Sequence, residues 1–189
     1  MDLPSGEATR LIVGKKVILR GFEEKDIEKM VQWRNDPDMN RHFFEYEPST
    51  IEKQRRWLET LSSRHDERFF VISNRRGEVI GTVGLAKIDC RSRNAEWGRF
   101  VIGDKKYLGK GYGLEAMYLS AQYAFTHLNL HRLYLKVFAW NKNARAMYES
   151  FGFRKEGTLR EHVFRDGRYH DIVVYGILVD EFKKRGLVR

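Results

Sequence analysis

A glycine-rich segment, LGKGYG at residues 108–113, lies between a predicted strand and a long predicted helix. Glycine lets the backbone approach an anion closely, and a helix N-terminus presents unpaired N–H groups at the positive end of the helix dipole. The segment therefore indicates a phosphate-binding turn, with a surface turn that binds nothing as the alternative.

Two well-known phosphate-binding motifs do not fit this segment. A Walker loop needs Ser or Thr after its Gly-Lys pair, whereas Gly111 follows Lys110 here. A dinucleotide fingerprint that starts at Gly109 requires a small third residue where Leu114 stands, and an acidic residue about 20 positions further on, which is missing. The loop is therefore either a phosphate site of another class or a surface turn that binds nothing.

The apolar periodicity on both sides of the loop predicts a mixed chain. Runs rich in β-branched and aromatic residues indicate strands, and apolar residues three or four positions apart indicate helices. The resulting order, β-α-α-β-β-β-α-β-α-β-β, predicts an α/β (α+β) fold with helices packed on a largely antiparallel sheet. Strands are predicted near residues 16–20, 69–72, 79–85, 95–102, 133–138, 153–163 and 172–178, and helices near 23–34, 49–61 (capped by Ser49), 114–128 and 143–150.

The composition is that of a globular protein. The chain has 189 residues, 42% of them hydrophobic, which is enough to bury a substantial core. We expect a single domain at residues 15–189 after a flexible lead-in at residues 1–14, whose apolar run is too short for a signal peptide or a membrane span. A single cysteine, Cys90, permits no internal disulfide, so a cytoplasmic location is expected.

The charge balance is basic, with 35 Lys and Arg against 26 Asp and Glu, a formal charge of +9. Such a chain attracts nucleic acid, an anionic membrane or a phosphorylated cofactor. A nucleic-acid-binding module is an alternative of a different class, but its motifs are missing, and we expect no specific nucleic acid and no membrane partner. His127 and His131 stand four residues apart without a third ligand, so no metal is expected.

A second motif follows downstream, where Asn141, Ala144, Tyr148, Gly152 and Phe153 are spaced as Asn-x-x-Ala-x-x-x-Tyr-x-x-x-Gly-Phe. Together with the loop, this segment resembles the GNAT superfamily of acetyl-CoA-dependent N-acetyltransferases. The resemblance covers residues 17–178. Segments WRNDP (33–37), GFRKEGTLR (152–160) and DGRYHD (166–171) are similar to the branch that acetylates ribosomal-protein N-termini and spermidine.

The resemblance implies acetyl-CoA as the cofactor, direct acetyl transfer, a sheet splayed at the cofactor strand and, by analogy with relatives, a homodimer. The family loop begins with Gln or Arg where this chain has Leu108, but its main anion contacts come from backbone amides, which Leu also supplies. The residues that the resemblance assigns to the cofactor are Phe100, Val101, Ile102, Leu108, Gly109, Lys110, Gly111, Tyr112, Gly113, Asn141, Asn143, Ala144 and Tyr148.

Acetyl transfer requires an acid for the departing thiolate and a base for the attacking ammonium. The resemblance assigns the acid to Tyr148, whose alternative is a tyrosine that fills the core. Some family members carry a glutamate five residues before the motif asparagine, but this chain has Lys136 there. Glu96 is the predicted substitute base, acting directly or through water, and an ordinary strand carboxylate is the alternative.

The acceptor amine is the least defined element. A polyamine carries several positive charges and favours clustered carboxylates, whereas the acidic residues here are mostly interspersed with cations. We therefore expect a peptide or protein N-terminal amine, with spermidine or another polyamine as the alternative. Glu45 and Glu47, in FFEYEP at residues 43–48, are the predicted acceptor-binding carboxylates.

Overall fold

The structure, a computed structural model, describes residues 11–61 and 63–184. In these ranges no helix is long and apolar enough to cross a membrane. The strands are β1 (Ile12–Val13), β2 (Val17–Arg20), β3 (Arg68–Asn74), β4 (Val79–Asp89), β5 (Asn94–Ile102), β6 (Arg132–Phe138), β7 (Arg154–Arg165) and β8 (Arg168–Leu178). The α-helices are α1 (Ile27–Asn35), α2 (Pro37–Asn40), α3 (Ile51–Leu61), α4 (Tyr112–Thr126), α5 (Lys142–Phe151) and α6 (Val179–Lys184).

The strands form one sheet in the order β1-β2-β3-β4-β5-β6-β8-β7. Every neighbouring pair is antiparallel except β5 and β6, which run parallel. A parallel pair needs a crossover connection, and α4 supplies it. The prediction of a mixed, mostly antiparallel sheet flanked by helices is confirmed.

Both faces of the sheet are covered. In β3, Phe69 and Val71 pack with apolar residues of α1 and α3, whereas Phe70 and Ile72 pack in the larger core with α4. Alternate residues of a strand point to opposite faces, which explains why β3 reads as an unbroken apolar run. The middle of the sheet is therefore packed on both faces and supports the strand ends beside it.

Strands β5 and β6 separate along their length. They pair only over residues 94–96 and 132–134. Further along β5, Arg99 has a φ of 50°, in the left-handed region, and its carbonyl accepts a hydrogen bond from Thr82 Oγ1 at 2.8 Å. The register with β4 shifts in the same stretch, as at a β-bulge. This irregularity opens a wedge between the C-terminal halves of β5 and β6.

The N-terminal edge of the sheet begins earlier than the sequence indicates. Ile12 and Val13, inside the expected lead-in, pair with Leu19 and Ile18 in a short hairpin. Both are apolar and partner the apolar run of β2, so the sheet includes them. The rest of the expected lead-in, residues 1–10, lies outside the described residues.

Helix α3 also begins differently. Thr50 Oγ1 accepts a hydrogen bond from the Lys53 amide at 3.1 Å, which is the contact of an N-cap residue. The hydroxyl of Ser49 instead accepts from Gln54 Nε2 at 2.8 Å. The capping residue is therefore Thr50, and the prediction of Ser49 is wrong by one position.

Candidate active site

The glycine-rich loop enters α4 in a conformation that glycine adopts freely. Gly109 and Gly111 have φ angles of 71° and 83°, in the left-handed region. Gly113 lies against β5, where a Cβ would stand 3.1 Å from Phe100 and 3.4 Å from Ile102. The first-turn amides of a helix have no carbonyl of a preceding turn to bind, so they are available to an anion.

A cavity of about 630 Å³ lies beside this loop and is called the loop cavity here. Its wall combines the loop, the end of β5 and the first turns of α5. Most of the residues assigned to the cofactor line it, namely Phe100, Val101, Ile102, Leu108, Gly109, Gly111, Gly113, Asn141, Asn143, Ala144 and Tyr148.

Lys110 and Tyr112, which were also assigned to the cofactor, do not line the loop cavity. The Lys110 carbonyl accepts a hydrogen bond from Lys16 Nζ at 2.7 Å. The Tyr112 ring packs edge-on against Tyr107, with 4.9 Å between ring centroids. These contacts support the loop, and a direct contact of either residue with the cofactor stays a prediction.

Asn141 caps α5 and also lines the loop cavity, and its contact with the cofactor stays a prediction. Its Oδ1 accepts a hydrogen bond from the Ala144 amide at 3.2 Å and so caps α5. Its Nδ2 lies 3.1 Å from His42 Nδ1, at the wall of the loop cavity. Because the cap fixes the amide, Asn141 presents a defined polar edge to whatever fills the cavity.

A second cavity, of about 340 Å³, lies between the loop at residues 42–45 and strands β4 and β5, and is called the strand cavity here. The two cavities share one wall. A molecule in either cavity therefore comes within reach of the same side chains, which are His42, Phe43, Phe100, Val101, Lys136 and Tyr148.

Tyr148 stands in this shared wall with its ring held by aromatic packing. Its ring centroid is 5.9 Å from that of Trp97 and 6.2 Å from that of Phe153, both in edge-on geometry. No described residue hydrogen-bonds its hydroxyl. Burial raises the pKa of Tyr148 above its ordinary value of 10.0, so the phenol stays protonated at neutral pH. The packing fixes the ring, and the hydroxyl keeps its proton for a ligand.

Glu96 lies in the strand cavity and is already ion-paired. Its Oε2 is 2.7 Å from the Nζ of Lys87, which lies on the neighbouring strand β4. The hydrogen bond to Glu96 is the largest cause that raises the pKa of the Lys87 amine. Lys87 is the more exposed partner, since its side chain is 64% exposed and that of Glu96 only 20%. The predicted base therefore lines the same cavity as Tyr148 but is paired with an internal cation.

The two predicted acceptor carboxylates separate in the structure. Glu45 lines the strand cavity and pairs with Arg34 at 2.8 Å. Glu47 lines neither cavity and pairs with Lys53 at 3.1 Å. They pair with different cations and do not line one cavity, so a joint contact with the acceptor stays a prediction.

Two anchors hold the loop that walls both cavities. The Asn35 side chain donates to the Ser49 carbonyl and accepts from the Ser49 amide, both at 2.8 Å. The buried guanidinium of Arg165 donates to the Asn40 carbonyl at 3.0 Å and to the Phe43 carbonyl at 2.5 Å. The β7–β8 hairpin thus positions the loop, although it lies more than a hundred residues away in sequence.

Sequence reasoning did not assign a role to His42, Phe43, Lys87 or, beyond the missing glutamate, Lys136. Burial, followed by the nearby positive charge of Arg41, lowers the pKa of His42, which keeps this imidazole neutral. Lys87 comes close to Glu96 through the register of the β4–β5 hairpin, which the sequence spacing does not show. No group of three or more His, Cys, Asp or Glu side chains in the described ranges is arranged to hold a metal ion.

The GNAT acetyltransferase domain model matches residues 16–154. The chain belongs to the GNAT acetyltransferase family. Among its relatives, the spermidine N(1)-acetyltransferase of Vibrio cholerae is 31% identical over 92% of this chain and 99% of that protein. The Escherichia coli K12 spermidine N(1)-acetyltransferase is 33% identical over 83% of each chain. A putative ribosomal N-acetyltransferase of Bacillus subtilis is 27% identical over 90% of this chain and 96% of its own length.

Solved structures agree with this assignment. The crystal structure of the Vibrio cholerae spermidine N-acetyltransferase in complex with CoA and spermine has a TM-score of 0.83 and 30% identity, covering 90% of this chain and 99% of that one. The predicted family and fold are confirmed. The protein is an acetyl-CoA-dependent N-acetyltransferase, with acetyl-CoA as its cofactor.

The geometry fits this cofactor. Acetyl-CoA supplies the acetyl group as a thioester when bound. The left-handed glycines and the open first turn of α4 are the groups that would hold its pyrophosphate. The end of β5, unpaired on its β6 side, offers backbone groups to an extended amide chain. Tyr148, protonated and fixed, stands where the loop cavity meets the strand cavity.

Proposed function

We propose that this enzyme acetylates a primary amine of a polyamine of the spermidine class. The observation that carries the proposal is the ion pair in the strand cavity, where a primary ammonium, Lys87 Nζ, lies 2.7 Å from Glu96 Oε2. An acceptor's terminal ammonium has the same chemistry. It takes the position of the exposed Lys87 amine on Glu96, beside Tyr148.

The rest of the strand cavity suits a chain of methylenes between charges. Phe43, Phe44 and Trp97 supply apolar walls, and Glu45 supplies a second carboxylate. Aromatic faces bind ammonium groups, and carboxylates pair with them. The similarity to two spermidine N(1)-acetyltransferases over most of their length supports the same acceptor class.

The cations in the cavity define the condition that the acceptor must meet. Arg34, Lys87, Arg99 and Lys136 also line it, so an entering polyamine must displace internal partners from the carboxylates. The exchange costs little where the partner is exposed, because exposed ion pairs contribute only about 0–1 kcal/mol. Lys87 is such an exposed partner, because 64% of its side chain is exposed.

A peptide or protein N-terminal amine is the second candidate, and the same cations favour it. A peptide brings carbonyl oxygens, and acidic side chains when it has them, that pair with guanidinium and ammonium groups. The similarity to a putative ribosomal N-acetyltransferase is in line with this acceptor. The peptide amine that the sequence led us to expect is therefore the alternative acceptor.

The acceptor is tested by a mass-spectrometric acetylation screen at equal concentrations of spermidine, spermine, amino sugars, free amino compounds and N-terminal peptides. We expect spermidine and spermine to gain acetyl groups at the highest rates. Glu45→Gln should lower kcat/KM for spermidine about two- to fivefold, because it removes an exposed carboxylate from the cavity. Glu47→Gln is the matched control and should leave it unchanged. Acetylation of peptides alone contradicts the polyamine proposal.

Self-association is a further part of the proposal, with the expected homodimer as the smallest assembly. A structure of the Vibrio cholerae relative is described as dodecameric. Light scattering on the purified chain should therefore give a mass of at least two subunits, and a single-subunit mass at micromolar concentration contradicts it.

One acetyltransferase domain from residue 15 onward and a cytoplasmic location also stay predictions.

A further inference from the structure

The segment before β2 is tied to helix α4 by one carboxylate. Glu115, in the first turn of α4, accepts hydrogen bonds from three consecutive backbone amides. The Lys15 amide donates to its Oε1 at 2.5 Å, and the Lys16 and Val17 amides donate to its Oε2 at 2.7 Å and 3.2 Å. A carboxylate that accepts several backbone N–H groups holds that backbone strongly. Residues 15–17 are therefore fixed against the start of α4.

Gly14 allows this close approach. A Cβ at Gly14 would stand 2.7 Å from Glu115 Oε1 and 2.8 Å from Leu119 Cδ1, closer than side chains tolerate. Its amide also donates to the Val17 carbonyl at 2.8 Å, which closes the turn between β1 and β2. The turn is thus shaped to fit the surface of α4.

This turn delivers one side chain to the cofactor loop. Lys16 Nζ donates a hydrogen bond to the Lys110 carbonyl at 2.7 Å. It also lies 3.1 Å from where a Cβ at Gly111 would be, and 5.8 Å from the centroid of the Tyr112 ring. Among the described residues, no carboxylate forms an ion pair with this ammonium. Its positive charge is therefore not neutralised beside the loop.

We propose that Lys16 is a positioning residue for cofactor binding, held in place by the Glu115 contacts. The peptide unit between Lys110 and Gly111 is planar and trans, so its carbonyl and its N–H point in opposite directions. By holding the carbonyl outside the cavity, Lys16 turns the Gly111 amide toward the opposite side, where Gly111 lines the loop cavity. The ammonium also adds positive potential next to the pyrophosphate site.

A positioning role for Lys16 predicts an effect on cofactor affinity and none on the chemical step. Lys16→Met removes the hydrogen bond and the charge without touching Tyr148 or the strand cavity. We expect KM for acetyl-CoA to rise about fivefold, with kcat at saturating acetyl-CoA and KM for the acceptor unchanged. Lys16→Arg keeps a donor and a charge and should restore most of the affinity. Any amine that the enzyme acetylates serves as acceptor, so the test does not depend on the polyamine proposal.

Lys15→Met is the matched control, because it removes the same charge one residue away and leaves the backbone contact to Glu115 in place. We expect this variant to keep the wild-type KM for acetyl-CoA. Equal increases in both variants indicate general charge attraction and overturn the proposal. An unchanged KM in Lys16→Met, or one that Lys16→Arg does not restore, overturns it as well. Direct titration with CoA, well below the melting temperature of each variant, reads the same affinity without turnover.

Discussion

Replacement of Tyr148 by phenylalanine should lower kcat by about 10²- to 10⁴-fold, the range typical of general acid catalysis, with little change in cofactor affinity. The substitution deletes one hydroxyl and keeps the ring. The ring is held by edge-on contacts with Trp97 and Phe153, so the local packing should survive. The loss therefore falls on the proton that the hydroxyl gives to the departing thiolate.

The pKa of Tyr148 bears on this role. Burial raises it above 10.0, which by itself makes the phenol a weaker donor for a thiolate whose thiol has an ordinary pKa of about 8.5. Burial raises the pKa of a thiol in the same site for the same reason. The two shifts have the same direction and offset each other in the proton transfer. The tyrosine also stays protonated over the working pH range and adds no alkaline limb to the rate below about pH 10.

The measurement compares kcat, KM for acetyl-CoA and CoA affinity between the wild-type enzyme and the Tyr148→Phe variant. Tyr175→Phe is the matched control, since its ring centroid lies 6.4 Å from that of Tyr148 and its hydroxyl contacts Glu149 and Arg145 instead of a cavity. That variant should lose about 1 kcal/mol of stability and keep its kcat. A Tyr148→Phe enzyme with wild-type kcat assigns the acid to another group.

Sequence patterns predicted those parts of the site that are formed by residues adjacent in the chain. The loop and α4 follow from glycines placed before an apolar helical face. Helix α5 begins after the Asn141 cap and ends at Gly152, which has a φ of 117°, and the motif marks both residues. Backbone conformation at a helix end depends on a few adjacent residues. The loop and helix ends that line the loop cavity could therefore be predicted from the sequence.

The acceptor side depends on contacts that sequence spacing does not show. Arg165 reaches the loop at Asn40 across 125 residues, and Lys87 meets Glu96 only because a β-hairpin brings two strands together. The two predicted acceptor carboxylates depend on such contacts too, because Glu45 and Glu47, two residues apart, pair with different cations. Which charges face a cavity is decided by strand register and loop anchoring, and neither leaves a pattern in one sequence.

Gly111→Asp should weaken acetyl-CoA binding by tenfold or more, an effect of about 1.4 kcal/mol or above. Gly111 has a φ of 83°, a conformation that Asp adopts at a modest cost. Among the described residues, Lys16 Nζ is the only near neighbour of an added Cβ, so the surroundings offer space. The fold should therefore persist. The new carboxylate stands at the N-terminus of α4, where it opposes the pyrophosphate and pairs with Lys16, so it removes positive potential from the site in two ways.

Gly111→Asn isolates the charge, because asparagine has nearly the same shape and tolerates the left-handed region equally well. Any backbone strain or lost space affects both variants, so the difference between them measures the electrostatic contribution. Isothermal titration with CoA gives the affinities, and the melting temperature at a fixed CoA concentration reads them independently through ligand stabilisation of the folded state. We expect Gly111→Asn to lie within about threefold of wild type and Gly111→Asp well below both, with a difference that shrinks at high salt. Equal affinities of all three proteins for CoA would place the pyrophosphate elsewhere than the first turn of α4.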